Sequence, residues 1–117
     1  MPNKNTPDSS AIGFRMMAAL ERYQQQWDEL VDPWFDREYW LRVNAELDEL
    51  RKLVASLPEL SADLMEVIMR HAQLLRSLVK PSAPQVKSAE LAALRRKHAL
   101  AIEHLRGKCL RLVAPAY

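Results

Sequence analysis

The chain has little cysteine and little glycine: one Cys109, and only Gly13 and Gly107, in 117 residues. A single thiol forms no intramolecular disulfide, and it cannot supply the several thiolates of a cysteine-based zinc site or an iron–sulfur cluster. Two isolated glycines leave nothing for a glycine-rich phosphate cradle or a G-x-S-x-G nucleophile elbow. They also leave too few turn residues for a sandwich or barrel, which argues against an all-β fold. Long apolar runs are lacking too. None approaches the roughly 18–20 residues needed to cross a bilayer. The segment Met1 to Ser10 is polar, with Lys4 its only basic residue and no apolar stretch behind it, so no signal peptide is read there. The expectation is a soluble protein of a reducing, cytoplasmic compartment.

What is present is ordinary globular material, 49% hydrophobic and 27% charged, at a length suited to one domain. The polar, proline-containing residues 1–9 read as a flexible tail, residues 10–113 as the domain, and residues 114–117 as a short second tail. Apolar positions in the domain recur at helical spacing. Met16, Leu20, Tyr23, Trp27 and Leu30 form one seam of a helix expected over Ser10 to Val31, which Asp32-Pro33 ends. Asp32 is placed to cap a second helix, with Pro33 at its first position, where a missing N–H is harmless. That helix, expected from Pro33 to Ser56, carries Trp40, Val43, Leu47, Leu50 and Val54, with a charged opposite face.

Ser56-Leu57-Pro58-Glu59 has the S-x-x-E form of a capping box and starts a third helix near Leu57 or Ser61. Its seam is read as Met65, Ile68, Ala72, Leu75 and Val79. Lys80 to Pro84 is a second break, because two prolines so close together cannot sit inside a helix. Ser82-Ala83-Pro84-Gln85 repeats the cap pattern before a fourth helix over Gln85 to Val113. There Leu91, His98, Ile102, Leu105, Cys109 and Leu112 share a stripe. Gly107 inside it marks either a close helix contact or an early fraying point. Four helices with short links predict an all-α fold, an antiparallel four-helix bundle with coiled-coil-like 3–4 packing. The same spacing would suit a homodimer.

Catalytic and metal patterns fail on spacing. No Glu stands three residues before His71, His98 or His104, as a di-iron bundle would need, and H-E-x-x-H is absent. The arginine–histidine spacing of small helical nucleases is missing as well, since seven residues separate Arg96 from His104 and two separate Arg95 from His98. His71 and His98 can face each other across helices three and four, where local hydrogen bonding is the simpler reading. No enzyme activity, small-molecule substrate or cofactor is expected.

Two surfaces remain as candidates. Charge is uneven: residues 1–69 hold 7 Lys/Arg against 13 Asp/Glu, and residues 70–117 hold 10 against 2. The halves either attract each other on packing or leave a basic face for a polyanion, with Arg95, Arg96, Lys97, Arg106 and Lys108 as the phosphate-binding candidates. The second feature is aromatic. Tyr23, Trp27, Trp34, Phe35, Tyr39 and Trp40 lie within 18 residues; Tyr23, Trp27 and Trp40 take seam positions, while Trp34, Phe35 and Tyr39 cannot all face one core. Trp34, Phe35, Asp36 and Tyr39 are therefore the candidate contacts for a protein partner, where rigid rings lose little entropy on binding. The leading expectation is a non-enzymatic adaptor, chaperone or regulator acting on another protein. A nucleic-acid-associated regulator using the basic fourth helix is the alternative.

Overall fold

The computed structural model describes residues 9–28, 37–79 and 83–113. Among them are four helices, α1 (Ser9–Asp28), α2 (Arg37–Val54), α3 (Ser61–Val79) and α4 (Pro84–Val113), with a 3-10 turn (Pro58–Leu60) ahead of α3. No strand occurs among the described residues, and the chain is an all-α helical bundle. Helix α1 packs on α2 and α4, α4 packs on α3, and α2 touches α3 only lightly. Along the contacts, neighbouring helices run in opposite directions. Arg15 reaches Glu49 while Arg22 reaches Glu46 across α1 and α2, and Asp63 meets Lys108 while Leu78 meets Lys87 across α3 and α4. No described helix is long and apolar enough to cross a membrane.

Burial follows the expected seams in three helices. Met16, Leu20, Tyr23 and Trp27 are buried along α1, and Trp40, Val43, Leu47 and Leu50 along α2, with Val54 half-buried. In α4 His98, Ile102, Leu105 and Cys109 are buried, with Leu91 and Leu112 half-buried at either end. Leu30, the Asp32-Pro33 stop, Ser82 of the second cap pattern and both tails apart from Ser9 lie outside the described residues.

The α3 seam differs from the expected one. Leu64, Val67, His71 and Leu74 line the core, whereas Met65 is 57% exposed, Ala72 is exposed, and Ile68 and Leu75 are half-buried. The true seam is one residue out of step because it passes through a histidine, which a search for apolar residues steps over. The side chain of Val79 lies outside the described residues.

The capping box at Ser56 is not formed either, since no side-chain hydrogen bond caps the 3-10 turn. Leu57 and Leu60 are buried and draw the link against the core. In that tight path the backbone satisfies itself: the Leu57 amide donates to the Val54 carbonyl and the Leu60 amide to the Leu57 carbonyl, both at 2.9 Å. Pro58, at the start of the turn, has no amide to cap.

The close helix contact considered for Gly107 is found at Gly13 instead. A Cβ on Gly13 would stand 2.5 Å from Cγ1 of Val113, so this glycine lets α1 approach the end of α4. A Cβ on Gly107 would meet nothing within 4 Å, and α4 runs on past it to Val113. Gly107 thus makes no close contact within the described chain and does not end the helix.

Candidate functional site

The described residues form a buried tyrosine–histidine centre, a basic side of α4 and an apolar face on α3.

Tyr23, from the middle of α1, sends its hydroxyl between α3 and α4. It lies 2.8 Å from Nδ1 of His71 and 2.8 Å from Nε2 of His98. A phenol has one proton to donate and lone pairs to accept with, so it can donate to one imidazole while accepting from the other. The two tautomers are then linked through one oxygen. Trp27 closes the site, its ring centroid 5.3 Å from His71 and 5.0 Å from His98, and it packs edge-on against Trp40 at 5.1 Å. The Trp27 indole nitrogen is itself buried without a hydrogen-bond partner among the described residues.

Burial governs the ionisation of this centre. It pushes the Tyr23 hydroxyl above the usual phenol range. It also holds His71 down to about 4, with the charge of Arg51 adding to the effect. His98 is held down to about 3, chiefly by burial and further by His71 and Arg95. Both imidazoles are therefore neutral near pH 7. The cavity bordering His98 and Trp27 has about 40 Å³, room for about one water and not for a substrate. No group of three or more His, Cys, Asp or Glu side chains among the described residues is placed to hold a metal ion. What the arrangement does chemically is satisfy three buried polar groups at the meeting point of α1, α3 and α4.

The basic residues of α4 divide by direction. At 100° per residue, Arg95 and Arg106 turn toward α1, Lys97 and Lys108 toward α3, and Arg96 outward. Arg95 donates to the Trp27 carbonyl at 3.0 Å, and Lys87 donates to the Leu78 carbonyl at 2.8 Å. Each places a cation on the carbonyl end of a neighbouring helix, where the helix dipole favours positive charge. Arg106 pairs with Glu103 at 2.7 Å and also bonds Gln24, and Lys108 pairs with Asp63 at 2.6 Å. Arg96 and Lys97 are exposed and have no ion pair among the described residues. Part of the positive half of the chain thus serves to hold helices together, through one ion pair to the acidic half, two bonds to neutral groups of α1 and one to a carbonyl of α3.

Of the aromatic cluster, Tyr23, Trp27 and Trp40 are core. Trp34, Phe35 and Asp36 lie outside the described residues, and Tyr39 belongs to α2 with its side chain outside them.

The face that sequence reasoning missed is on α3. Met65 and Met69 are 57% and 50% exposed, beside exposed Ala72 and half-buried Ile68 and Leu75. On the helical wheel Met65, Ile68, Ala72 and Leu75 lie away from Asp63, which faces α4, and on the side where α2 touches only lightly. The available signal was the apolar pattern itself: α3 has two adjacent apolar stripes, and only one can face the core.

Comparison with known protein families, characterised proteins and solved structures gives no match for this chain.

Proposed function

We propose that the chain is a non-enzymatic protein-binding module, an adaptor, chaperone or regulator of the cytoplasm. The observation that carries this reading is the α3 face of Met65, Met69, Ile68 and Leu75, an apolar strip left open by the light contact between α2 and α3. Unbranched methionines adapt to varied shapes, and such a strip suits the apolar side of a partner helix. Trp34, Phe35, Asp36 and Tyr39, which lie in sequence before and at the start of α2, stay candidate partner contacts in this reading. The buried free thiol of Cys109 goes with a reducing compartment. The histidines support a binding role over catalysis, because both are engaged by Tyr23 beside a cavity too small for substrate.

The test is capture of partners from the native cell extract with wild-type protein, with Met65→Lys/Met69→Lys and with Trp34→Ala/Phe35→Ala. A partner held by the wild type and lost from either helical variant supports the reading. An identical set on all three proteins would sink it.

The nucleic-acid reading has one observation in its favour, the adjacent exposed cations Arg96 and Lys97, which have no ion pair among the described residues. Three of its five residues, Arg95, Arg106 and Lys108, already hold intramolecular partners.

A further inference from the structure

Helix α4 is apolar on two sides. One side carries the core seam through His98, Ile102 and Leu105. The opposite side shows Leu100 at 60% exposure and Leu110 at 51%. Thirty residues make this helix about 45 Å long, the longest of the four. Its outward stripe runs through Ala93, Arg96, Leu100, Glu103 and Gly107 at spacings of 3, 4, 3 and 4. All five fall within about 60° of the direction facing away from the core.

This stripe reads nearly the same in both directions from Leu100. Seven residues to either side is a small residue, Ala93 or Gly107. Three or four residues to either side is a charge, Arg96 toward the start of the helix and Glu103 toward its end. A two-fold axis through Leu100 therefore brings Arg96 of one copy level with Glu103 of the other, twice, and sets small residues against small residues. A parallel pairing would instead put Arg96 against Arg96 and Glu103 against Glu103.

Two further observations fit a second copy. Gly107 costs a helix interior up to about 1 kcal/mol relative to alanine. It contacts nothing that a Cβ would disturb within the described chain, so its smallness has no internal use. Arg96 has no ion pair among the described residues, and the one ion pair of exposed Glu103 among them is to half-buried Arg106 three residues along, which also bonds Gln24. An ion pair to a carboxylate this open to water contributes little, and the carboxylate is readily shared.

We propose that the outward stripe of α4 is the interface of an antiparallel homodimer with its two-fold axis at Leu100. The contact is isologous, as closed two-fold dimers require. It lies on a different helix from the α3 strip, so it stands or falls independently of the function proposed above.

Sedimentation equilibrium of the full chain over a concentration series, with circular dichroism to confirm helicity, reads the mass. The expected species has twice the chain's mass. Leu100→Lys places like charges on the axis and weakens self-association at least about tenfold. Arg96→Glu alone and Glu103→Arg alone each weaken it, and the double exchange restores it. Within one helix these two side chains are about 10 Å apart, so restoration can only come from contact between copies. Under mild oxidation Leu100→Cys links to its own copy whereas Leu110→Cys does not, because only position 100 lies on the axis. A monomer throughout, a dimer indifferent to Leu100→Lys, a double exchange without rescue, or equal crosslinking at both positions would each overturn the proposal.

Discussion

Acid should unfold this protein through two residues. His71 and His98 are 5% and 4% exposed and share the hydroxyl of Tyr23. In the unfolded chain each imidazole titrates near 6.5, while in the native state burial holds them at about 4 and about 3. Because the native values are depressed, the contribution to stability is complete above pH 6.5 and is lost as pH falls, the unfolded chain taking up protons that the folded one refuses. The loss is about 1.4 kcal/mol per histidine for each pH unit below 6.5. Between pH 6.5 and 5 the two residues together cost about 3 kcal/mol, a large part of the roughly 5–15 kcal/mol that holds a typical domain. Urea unfolding at pH 7, 6 and 5, followed by circular dichroism, measures this directly. The wild type should lose stability steeply below pH 6.5, and His71→Gln/His98→Gln should show a much flatter profile whatever its stability at pH 7. A wild type that varies by less than about 1 kcal/mol over the window, or a double variant with the same slope, would refute the reasoning.

Other outcomes follow from the same contacts. Tyr23→Phe removes the oxygen that serves both imidazoles, and should cost roughly 1–3 kcal/mol in urea unfolding at pH 7 with helicity retained; a neutral variant would mean that those bonds contribute nothing. Cys109 is fully buried and burial pushes its thiol up to about 11, so a thiol reagent at pH 8 should label it only as fast as the protein opens. For duplex DNA, binding by all five α4 cations would give a log–log salt slope of about −4 to −5, and with three held internally the slope should be no steeper than about −2. The steeper value would restore the nucleic-acid reading.

The helices were legible in the sequence because their determinants are local. Apolar residues at helical spacing mark α1, α2 and α4 to within a few residues among those described, and α2 adds a charged opposite face. The α3 seam was misread for a physical reason. A polar residue belongs in a core seam when another helix supplies its hydrogen bond, and no local pattern shows that the Tyr23 hydroxyl, 48 residues earlier in the chain, does so for His71. The same applies to Arg95, Arg106 and Lys108. Their charge is visible in the sequence, but whether each meets a carbonyl, an amide or a carboxylate depends on which helix lies alongside. Ser56-Leu57-Pro58-Glu59 misled in the other direction, because its local pattern was complete while burial of Leu57 and Leu60 chose a different path. The contrast between Gly13 and Gly107 likewise depends on tertiary distance, since only the neighbour at Val113 distinguishes them.

Binding of another protein to the open α3 face can be read from methionine methyl NMR. Of the five methionines, Met16 is buried, Met17 half-buried, and Met65 and Met69 at least half exposed. With methyl-labelled protein titrated by a partner recovered in the capture experiment, the Met65 and Met69 signals should shift or broaden to saturation while that of Met16 stays in place. Saturable binding that leaves Met65 and Met69 unmoved would mean that the partner sits elsewhere and that the α3 face is not the binding site.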